Sequence, residues 1–429
     1  MADNQSSPPP VAKRSSLSAN SVYVKVLMLW VMGSLLYASR GSYLSETLWY
    51  AIGIFAITGW VILFKFKVRS TWTTFLPFAI VIVAFSWPIL DAPGPHWPLI
   101  CAAPLPLAAI AIGLPASPWL RYLGWVVLIL LEGICIALAW HWGRVNIDVF
   151  AISQQGALDF LRGTNPYQSW FHSTTVEVAR FRYDYGPLWL LLTAPFARLG
   201  DVRVLVGLSS IGIICLGAWR YGWRQYSTWI WVALLLLSPW LAWTTIMAWT
   251  ELVMMSLLLA WYATYQQWRW SWVFLAVALG ANPIIAVLLL PMFVVIPETR
   301  RQIICAGCAA AICWLAALGL SGADFIQAFR IAGTQGYEPT ISLGGFYLIL
   351  TNHPIPKIAT IIIALGITAY LWRYRAADLW QRELLVGFGC LAIVWVMPAS
   401  YFEYTLIPAL WLWWTLGRAT SLFAPTLKA

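Results

Sequence analysis

Apolar runs that approach the length of a membrane span recur along almost the whole chain. Examples lie at Val22–Tyr37, Ala51–Phe64, Phe75–Ile89 and Leu123–Trp140. A membrane-spanning helix needs about 17–25 mostly apolar residues, and the gaps between these runs are too short for a globular domain. The pattern therefore predicts an all-α fold, a polytopic integral membrane protein of about 11–13 transmembrane helices.

Two segments depart from a simple count of spans. Gly186–Leu199 is mostly apolar but only 14 residues long, which favours a juxtamembrane or re-entrant helix. Trp272–Pro297 is interrupted by Asn282 and Pro283, and proline breaks a helix because it lacks a backbone N–H. Basic residues flank both ends of this second segment, so we expect a hairpin that enters the bilayer and returns to the same side.

The basic residues predict the orientation, because cytoplasmic loops carry an excess of lysine and arginine. On this rule the N-terminus is cytoplasmic, the protein lies in the inner (plasma) membrane, and the long polar loop lies outside the cytoplasm. The predicted units are a disordered cytoplasmic tail (1–20), N-terminal transmembrane helices (21–141), an exterior catalytic loop (142–187), a transmembrane core (188–418) with a second exterior loop (321–356), and a cytoplasmic tail (419–429).

The composition agrees with a lipid environment. The chain is 61% hydrophobic and only 10% charged, with a mean hydropathy of +0.75. A soluble domain carries about one-quarter charged residues, so lipid must solvate most of this protein. The net charge of +10 is spread over helix ends and forms no basic patch with interleaved aromatic residues, which excludes a nucleic-acid partner.

The cysteines give no metal or redox signature. All seven lie in apolar segments, and the pair Cys305 and Cys308 sits within a hydrophobic helix pattern without a second pair. Packing of small residues between helices accounts for this spacing. No compact group of Asp, Glu and His indicates a metal site, so no cofactor is predicted, and the need for a divalent cation stays open.

The exterior loop carries the candidate chemistry. Asp148 follows a predicted span by six residues and begins an amphipathic pattern that ends at Gly163. Arg180 and Arg182 precede the return to the membrane, and arginine binds phosphate oxygens through two parallel hydrogen bonds. A carboxylate can accept the proton of an attacking hydroxyl. The alternative is that Asp148 caps the helix and the arginines bind anionic headgroups.

The motifs around this loop resemble the GT-C glycosyltransferases, and family 87 in particular. An acidic residue after a span, a helix that ends in Gly-x-Asn-Pro-Tyr, and an aromatic-rich return to the membrane carry the resemblance. It implies a GT-C-like fold with Asp148 as the catalytic residue. It also implies that Asn165, Pro166 and Tyr167 shape the loop. The segments around Glu251 and Asn282, and around Glu403 and Tyr404, resemble later helices of that family.

Several positions depart from the family pattern. Tyr185-Gly186-Pro187 stands where Tyr-Pro-Pro is usual, and Asn282 replaces a lysine. Glu403 stands where a histidine is frequent, and about five spans precede the loop. On physical grounds we expect four residues to bind the phosphate and the lipid of the donor, namely Arg180, Arg182, Tyr183 and Tyr185. Acceptor or accessory roles are expected for Glu251, Glu403, Tyr404 and His172.

Together these features predict a hexosyltransferase. It would move a hexose, with mannose expected, from a polyprenyl-phosphate donor to an exterior hydroxyl on a glycolipid or polysaccharide. Asp148 would be the base, and the anomeric carbon would invert. The alternative is a multi-pass transporter or lipid flippase, whose signature would be ionisable residues at mid-membrane and inverted repeats. Only Glu132 lies clearly within a predicted span.

Overall fold

The computed structural model describes residues 148–172, 180–221, 244–245, 248–332, 357–374, 378–397 and 406–423, with the single residues 126, 130, 351 and 404. Within these residues α-helix dominates, as the hydrophobic pattern predicts. The predictions for the N-terminal tail and for nearly all of the N-terminal spans lie outside the described residues. Glu132, Glu403 and the second half of the 321–356 loop also lie largely or wholly outside them.

Eleven α-helices lie within the described residues. They are α1 (Asp148–Leu161), α2 (Pro187–Leu199), α3 (Arg203–Tyr221), α4 (Thr250–Thr264), α5 (Trp272–Ala281), α6 (Ala286–Val295), α7 (Arg300–Ser321), α8 (Ala323–Ala332), α9 (Lys357–Leu371), α10 (Leu379–Val396) and α11 (Leu406–Phe423). Single 3₁₀ turns occupy Pro283–Ile285, Pro297–Thr299 and Trp372–Tyr374.

A short two-stranded ribbon, which the hydrophobic pattern does not predict, accompanies the helices. Strands β1 (Trp170–His172) and β2 (Arg180–Arg182) pair antiparallel, with Phe171 opposite Phe181. Aromatic residues favour the pleated backbone because they pack well against cross-strand neighbours. The ribbon packs against α1, so the 142–187 segment folds back onto its own helix.

Two helical segments are long and apolar enough to cross a membrane. They are α3, with 19 residues, and the continuous stretch Pro297–Ser321, with 25. Most of the other apolar helices that the structure describes have apolar stretches of only 10–17 residues. The expected total of 11–13 spans remains a prediction.

Helix α2 has the length expected of a helix that does not cross. Its 13 residues extend roughly 20 Å, against about 30 Å for the hydrocarbon core of a bilayer. Pro187 occupies its first turn, where a missing N–H costs nothing, and Gly200 follows its last residue.

The predicted break at Asn282 and Pro283 is present, but the two halves do not form a hairpin. Asn282 is extended, at φ −148° and ψ 117°, because a residue before proline is excluded from the helical region. Its side-chain oxygen accepts a hydrogen bond from the N–H of Ile284 at 3.1 Å and starts the next turn. Helix α5 packs on α4, α7 and α2, whereas α6 packs on α9 and α10.

The core is centred on α4. Eleven of its fifteen residues are buried, on all sides of the helix, and a helix that is apolar all round lies inside a bundle. It contacts α3, α5 and α11. Helix α11 contributes the fully buried rings of Trp411, Trp413 and Trp414. This bundle forms the base on which the loop and α8 are assembled.

Candidate functional site

The turn after α1 is held by side-chain hydrogen bonds. The Asn165 Oδ1 atom accepts from the backbone N–H of Tyr167 at 3.1 Å and from the hydroxyl of Ser321 at 3.3 Å. The buried Tyr167 hydroxyl donates to the backbone oxygen of Tyr185 at 3.2 Å. Asn165, Pro166 and Tyr167 therefore hold both ends of the loop together and tie them to the end of α7.

An aromatic column fills the space beneath this turn. The Tyr183 ring meets the rings of Tyr167 and Tyr185 at centroid distances of 5.2 and 6.0 Å. It also lies so close to α1 that a Cβ at Gly156 would be 2.6 Å from its Cδ2 atom. Helix α1 therefore requires glycine at this contact.

The position of Tyr183 corrects its assignment as a ligand-binding residue. The side chain is fully buried, so its ring offers no surface to a lipid donor. Burial raises the pKa of the Tyr183 and Tyr167 phenols above their ordinary value, which keeps both neutral. Tyr183 supports the loop from below, whereas Tyr185 is only partly buried.

Arg182 is the polar centre of the loop, and we call its surroundings the Arg182 centre. Its guanidinium carbon lies 4.7 Å from the centroid of the Trp170 ring. The Nη1 atom reaches the backbone oxygen of Tyr167 at 3.4 Å and Oδ1 of Asp324 at 3.5 Å. Its Nε atom is buried and has no hydrogen-bond partner among the described residues. Arg182 was predicted as a site residue from the sequence, but its contact with Asp324 was not.

Helix α8 brings part of the 321–356 segment onto the 142–187 segment. The Asp324 Oδ2 atom accepts from the side-chain nitrogen of Gln168 at 2.8 Å. The Phe325 ring meets Tyr167 at 4.7 Å and Trp314 at 5.7 Å. Apolar residues at positions 325, 328 and 329 have the spacing of one helix face, a signal that indicates which side of α8 packs inward.

Asp148 is the first residue of α1, and the structure describes its backbone only. Gly156, where Tyr183 packs, lies eight residues further, which is roughly 12 Å along the helix axis. Arg182 immediately precedes Tyr183 in the chain. The contact of Tyr183 with α1 is thus about two helical turns from Asp148.

The side chains of Arg180 and His172 lie outside the described part of the structure. Their backbones form one pair of the ribbon, with His172 opposite Arg180. Tyr404 is partly buried and packs against the main core. The roles expected for these residues remain predictions.

Glu251 lies inside the protein, near the start of α2. Only 4% of the residue is exposed, and its Oε1 atom accepts from the Thr250 hydroxyl at 3.2 Å. The Asn282 amide donates to the same hydroxyl at 3.2 Å. The carbonyl of Ala281, which precedes Asn282, accepts from the N–H of Gly186 at 2.7 Å. Glu251 is therefore linked to the loop through this short chain of contacts.

Two backbone features accompany this arrangement. A Cβ at Gly186 would lie 2.1 Å from the backbone oxygen of Gly280, so the crossing of α2 and α5 requires glycine. Ala248, three residues before Glu251, is buried and has a φ of 57°. This φ lies in the left-handed backbone region, where a residue other than glycine is strained. Backbone strain of this kind concentrates at functional sites.

A second buried polar centre lies at the other end of the bundle, and the sequence analysis missed it. Glu383 is fully buried in α10, where its carboxylate accepts from the Tyr262 hydroxyl at 2.6 Å and pairs with Nε of Arg418 at 2.8 Å. The Trp411 indole donates to the backbone oxygen of Glu383 at 2.7 Å. We call this the Glu383 centre.

No group of three or more His, Cys, Asp or Glu side chains placed to hold a metal ion occurs among the described residues. We compared the chain with protein-family models, with curated proteins and with solved structures, and none of the three comparisons found a match. The resemblance to family 87 therefore remains a prediction, and the function has to be argued from the site.

Proposed function

We propose that this chain is a polytopic membrane glycosyltransferase. It transfers a hexose, mannose in the first instance, from a polyprenyl-phosphate carrier to a hydroxyl of a glycolipid or polysaccharide on the exterior face of the plasma membrane. Asp148 accepts the proton of the attacking hydroxyl, and the carrier phosphate leaves as an anion. The helical bundle with its two long apolar helices supports a membrane enzyme of this kind.

The Arg182 centre carries the proposal. The Arg182 fork is positively charged and flanked by a tryptophan ring, and its buried Nε atom has no partner among the described residues. Such a fork is a site for a planar or tetrahedral anion. Positive charge at the leaving phosphate stabilises the transition state, because charge accumulates there as the sugar bond breaks. No general acid is then required.

Inversion follows from the proposed displacement. The acceptor hydroxyl attacks the anomeric carbon on the face opposite the leaving phosphate, so the configuration of that carbon is reversed.

A transfer assay tests the proposal directly. The full-length protein, reconstituted in lipid, is supplied with a short-chain polyprenyl-phosphate-mannose and a mixture of glycolipid acceptors. We expect a mannosylated product whose anomeric configuration, read by NMR, is opposite to that of the donor. Retention of configuration would exclude Asp148 as a simple base. Absence of transfer from every polyprenyl-phosphate hexose tested would contradict the proposed glycosyltransferase activity.

A transporter or lipid flippase is the second candidate, and the Glu383 centre is the observation that favours it. Charged residues inside a membrane bundle are costly and frequently mark a substrate or proton pathway. Proteoliposomes distinguish the two functions. Translocation of a labelled polyprenyl-phosphate sugar without formation of a glycosylated acceptor would favour the transporter.

A further inference from the structure

Asp324 occupies the place at Arg182 that an external anion would take. Its Oδ1 atom faces Nη1 of Arg182, while its Oδ2 atom is bound by Gln168. The Arg182 side chain is 11% exposed and that of Asp324 is 35% exposed. The carboxylate is therefore the more exposed partner of a largely buried guanidinium.

Asp324 uses little of the hydrogen-bonding capacity of this guanidinium. Hydrogen bonds between charged groups are usually about 2.7–2.9 Å long, yet the contact of Nη1 with Asp324 is 3.5 Å. Arginine has five N–H donors in a planar fork, and the buried Nε has no partner among the described residues. A phosphate, with several oxygens around one centre, can bind two of these donors at once.

The same aspartate ties α8 to the loop. Asp324 lies in the first turn of α8, next to Phe325, which packs on Tyr167. The opposite side of α8 is exposed, including Ile326, Gln327 and Arg330. Loss of the Asp324 contact would remove the polar link between α8 and the Arg182 centre.

We infer that Asp324 is an internal competitor for the anion site. A phosphate group that binds Arg182 displaces the Asp324 carboxylate and loosens the first turn of α8 from the loop. This inference rests on the proposed function for the identity of the ligand, which would be the phosphate of a polyprenyl carrier. Asp324 thereby sets the affinity of the site and couples its occupancy to the position of α8.

Binding measurements on the Asp324→Asn variant test the competition. Titration of the full-length protein in nanodiscs with a short-chain polyprenyl phosphate should give an affinity about three- to tenfold tighter than wild type, because one competing charge is removed. The matched control is Asp159→Asn, which removes the same charge from α1, where Asp159 lies 3.7 Å from Arg162 and not at Arg182. Unchanged or weaker binding in Asp324→Asn would overturn the inference, as would an equal gain in both variants.

Hydrogen–deuterium exchange of the wild-type protein tests the release of α8. Polyprenyl phosphate should speed exchange in peptides that cover residues 323–328 and leave α7 unchanged. Slower or unaltered exchange there would contradict the displacement. The same response to inorganic phosphate would support the displacement but assign the site to free phosphate, and a response to phosphatidylglycerol alone would assign it to bulk lipid.

The two proposals fail separately. Tighter binding by Asp324→Asn in a protein that transfers no hexose would uphold the competition and reject the glycosyltransferase. If the protein transfers hexose but Asp324→Asn leaves the phosphate affinity unchanged, the glycosyltransferase is upheld and the competition is rejected.

Discussion

The Arg182 centre and the Glu383 centre differ in how closely their charged groups are paired. At the Arg182 centre the contacts of the guanidinium are 3.4 and 3.5 Å long, and one nitrogen has no partner among the described residues. At the Glu383 centre the carboxylate has contacts of 2.6 and 2.8 Å. The first centre is assembled from a loop and a short helix, whereas the second joins α4, α10 and α11.

This difference indicates different roles. A buried polar group without a partner costs about 1–3 kcal/mol, and a protein retains that cost where a ligand removes it. A close buried ion pair instead fixes the arrangement of the helices that supply it. Substitutions at the loop should therefore change activity more than stability, and substitutions at the Glu383 centre should do the opposite.

The largest effect is expected from Asp148→Asn. The substitution keeps the size of the side chain but removes the proton acceptor, so the rate of hexose transfer should fall by on the order of 10²–10⁴. The thermal unfolding temperature and the affinity for donor should stay close to wild type. Transfer by this variant at a near-normal rate in reconstituted membranes would show that Asp148 only caps α1.

Breaking the Glu383 pair should produce the largest loss of stability. Glu383→Gln leaves the Arg418 charge uncompensated, and we expect a cost of about 3 kcal/mol, at the lower end for buried pairs because the Arg418 side chain is 19% exposed. The double variant with Arg418→Met should recover much of this loss. Thermal unfolding in detergent measures both effects.

Activity per folded molecule separates this stabilising role from transport. It should be unaffected in the Glu383→Gln variant at temperatures where the protein stays folded. Loss of translocation or transfer without loss of stability would contradict a purely stabilising role of the Glu383 centre.

Replacing Arg182 by lysine should reduce transfer roughly ten- to a hundredfold, which corresponds to about 1–3 kcal/mol. Lysine keeps the charge but loses the planar fork that binds two phosphate oxygens. The decrease should appear in turnover as well as in donor affinity, because charge on the phosphate grows as the sugar bond breaks. Equal rates for wild type and Arg182→Lys would indicate that Arg182 only binds lipid headgroups and does not bind the donor phosphate.

The smallest effect is expected from Gly156→Ala, which tests the support beneath the Arg182 centre. The added Cβ would lie 2.6 Å from the Tyr183 ring, and overpacking of this kind costs about 1–3 kcal/mol. The control is Gly212→Ala in α3, where a Cβ meets no atom within 4 Å. It should be neutral or slightly stabilising, since alanine is the better helix former. Thermal unfolding compares the two, and equal destabilisation would show that the Tyr183 contact is unimportant.

The local features of the fold could be predicted because they depend on residues close in sequence. Proline at position 283 predicts a helix break whatever surrounds it, and the 14 residues after Tyr185 are too few for a span. The ribbon escaped prediction because three-residue strands are too short to display the alternation of a sheet. The hairpin at Asn282 was wrong because a break predicts a change of direction but not the partners of each half.

By itself the sequence determined the helical class, the short α2, the end of α1 and the presence of a charged loop between α1 and α2. Only the tertiary structure decided that Tyr183 is buried, that Arg182 meets Asp324, and that Glu383 pairs with Arg418. Arg182 and Asp324 are 142 positions apart in the chain. Periodicity indicates which side chains share a helix face, whereas the meeting of two faces depends on how all the helices fill the interior together.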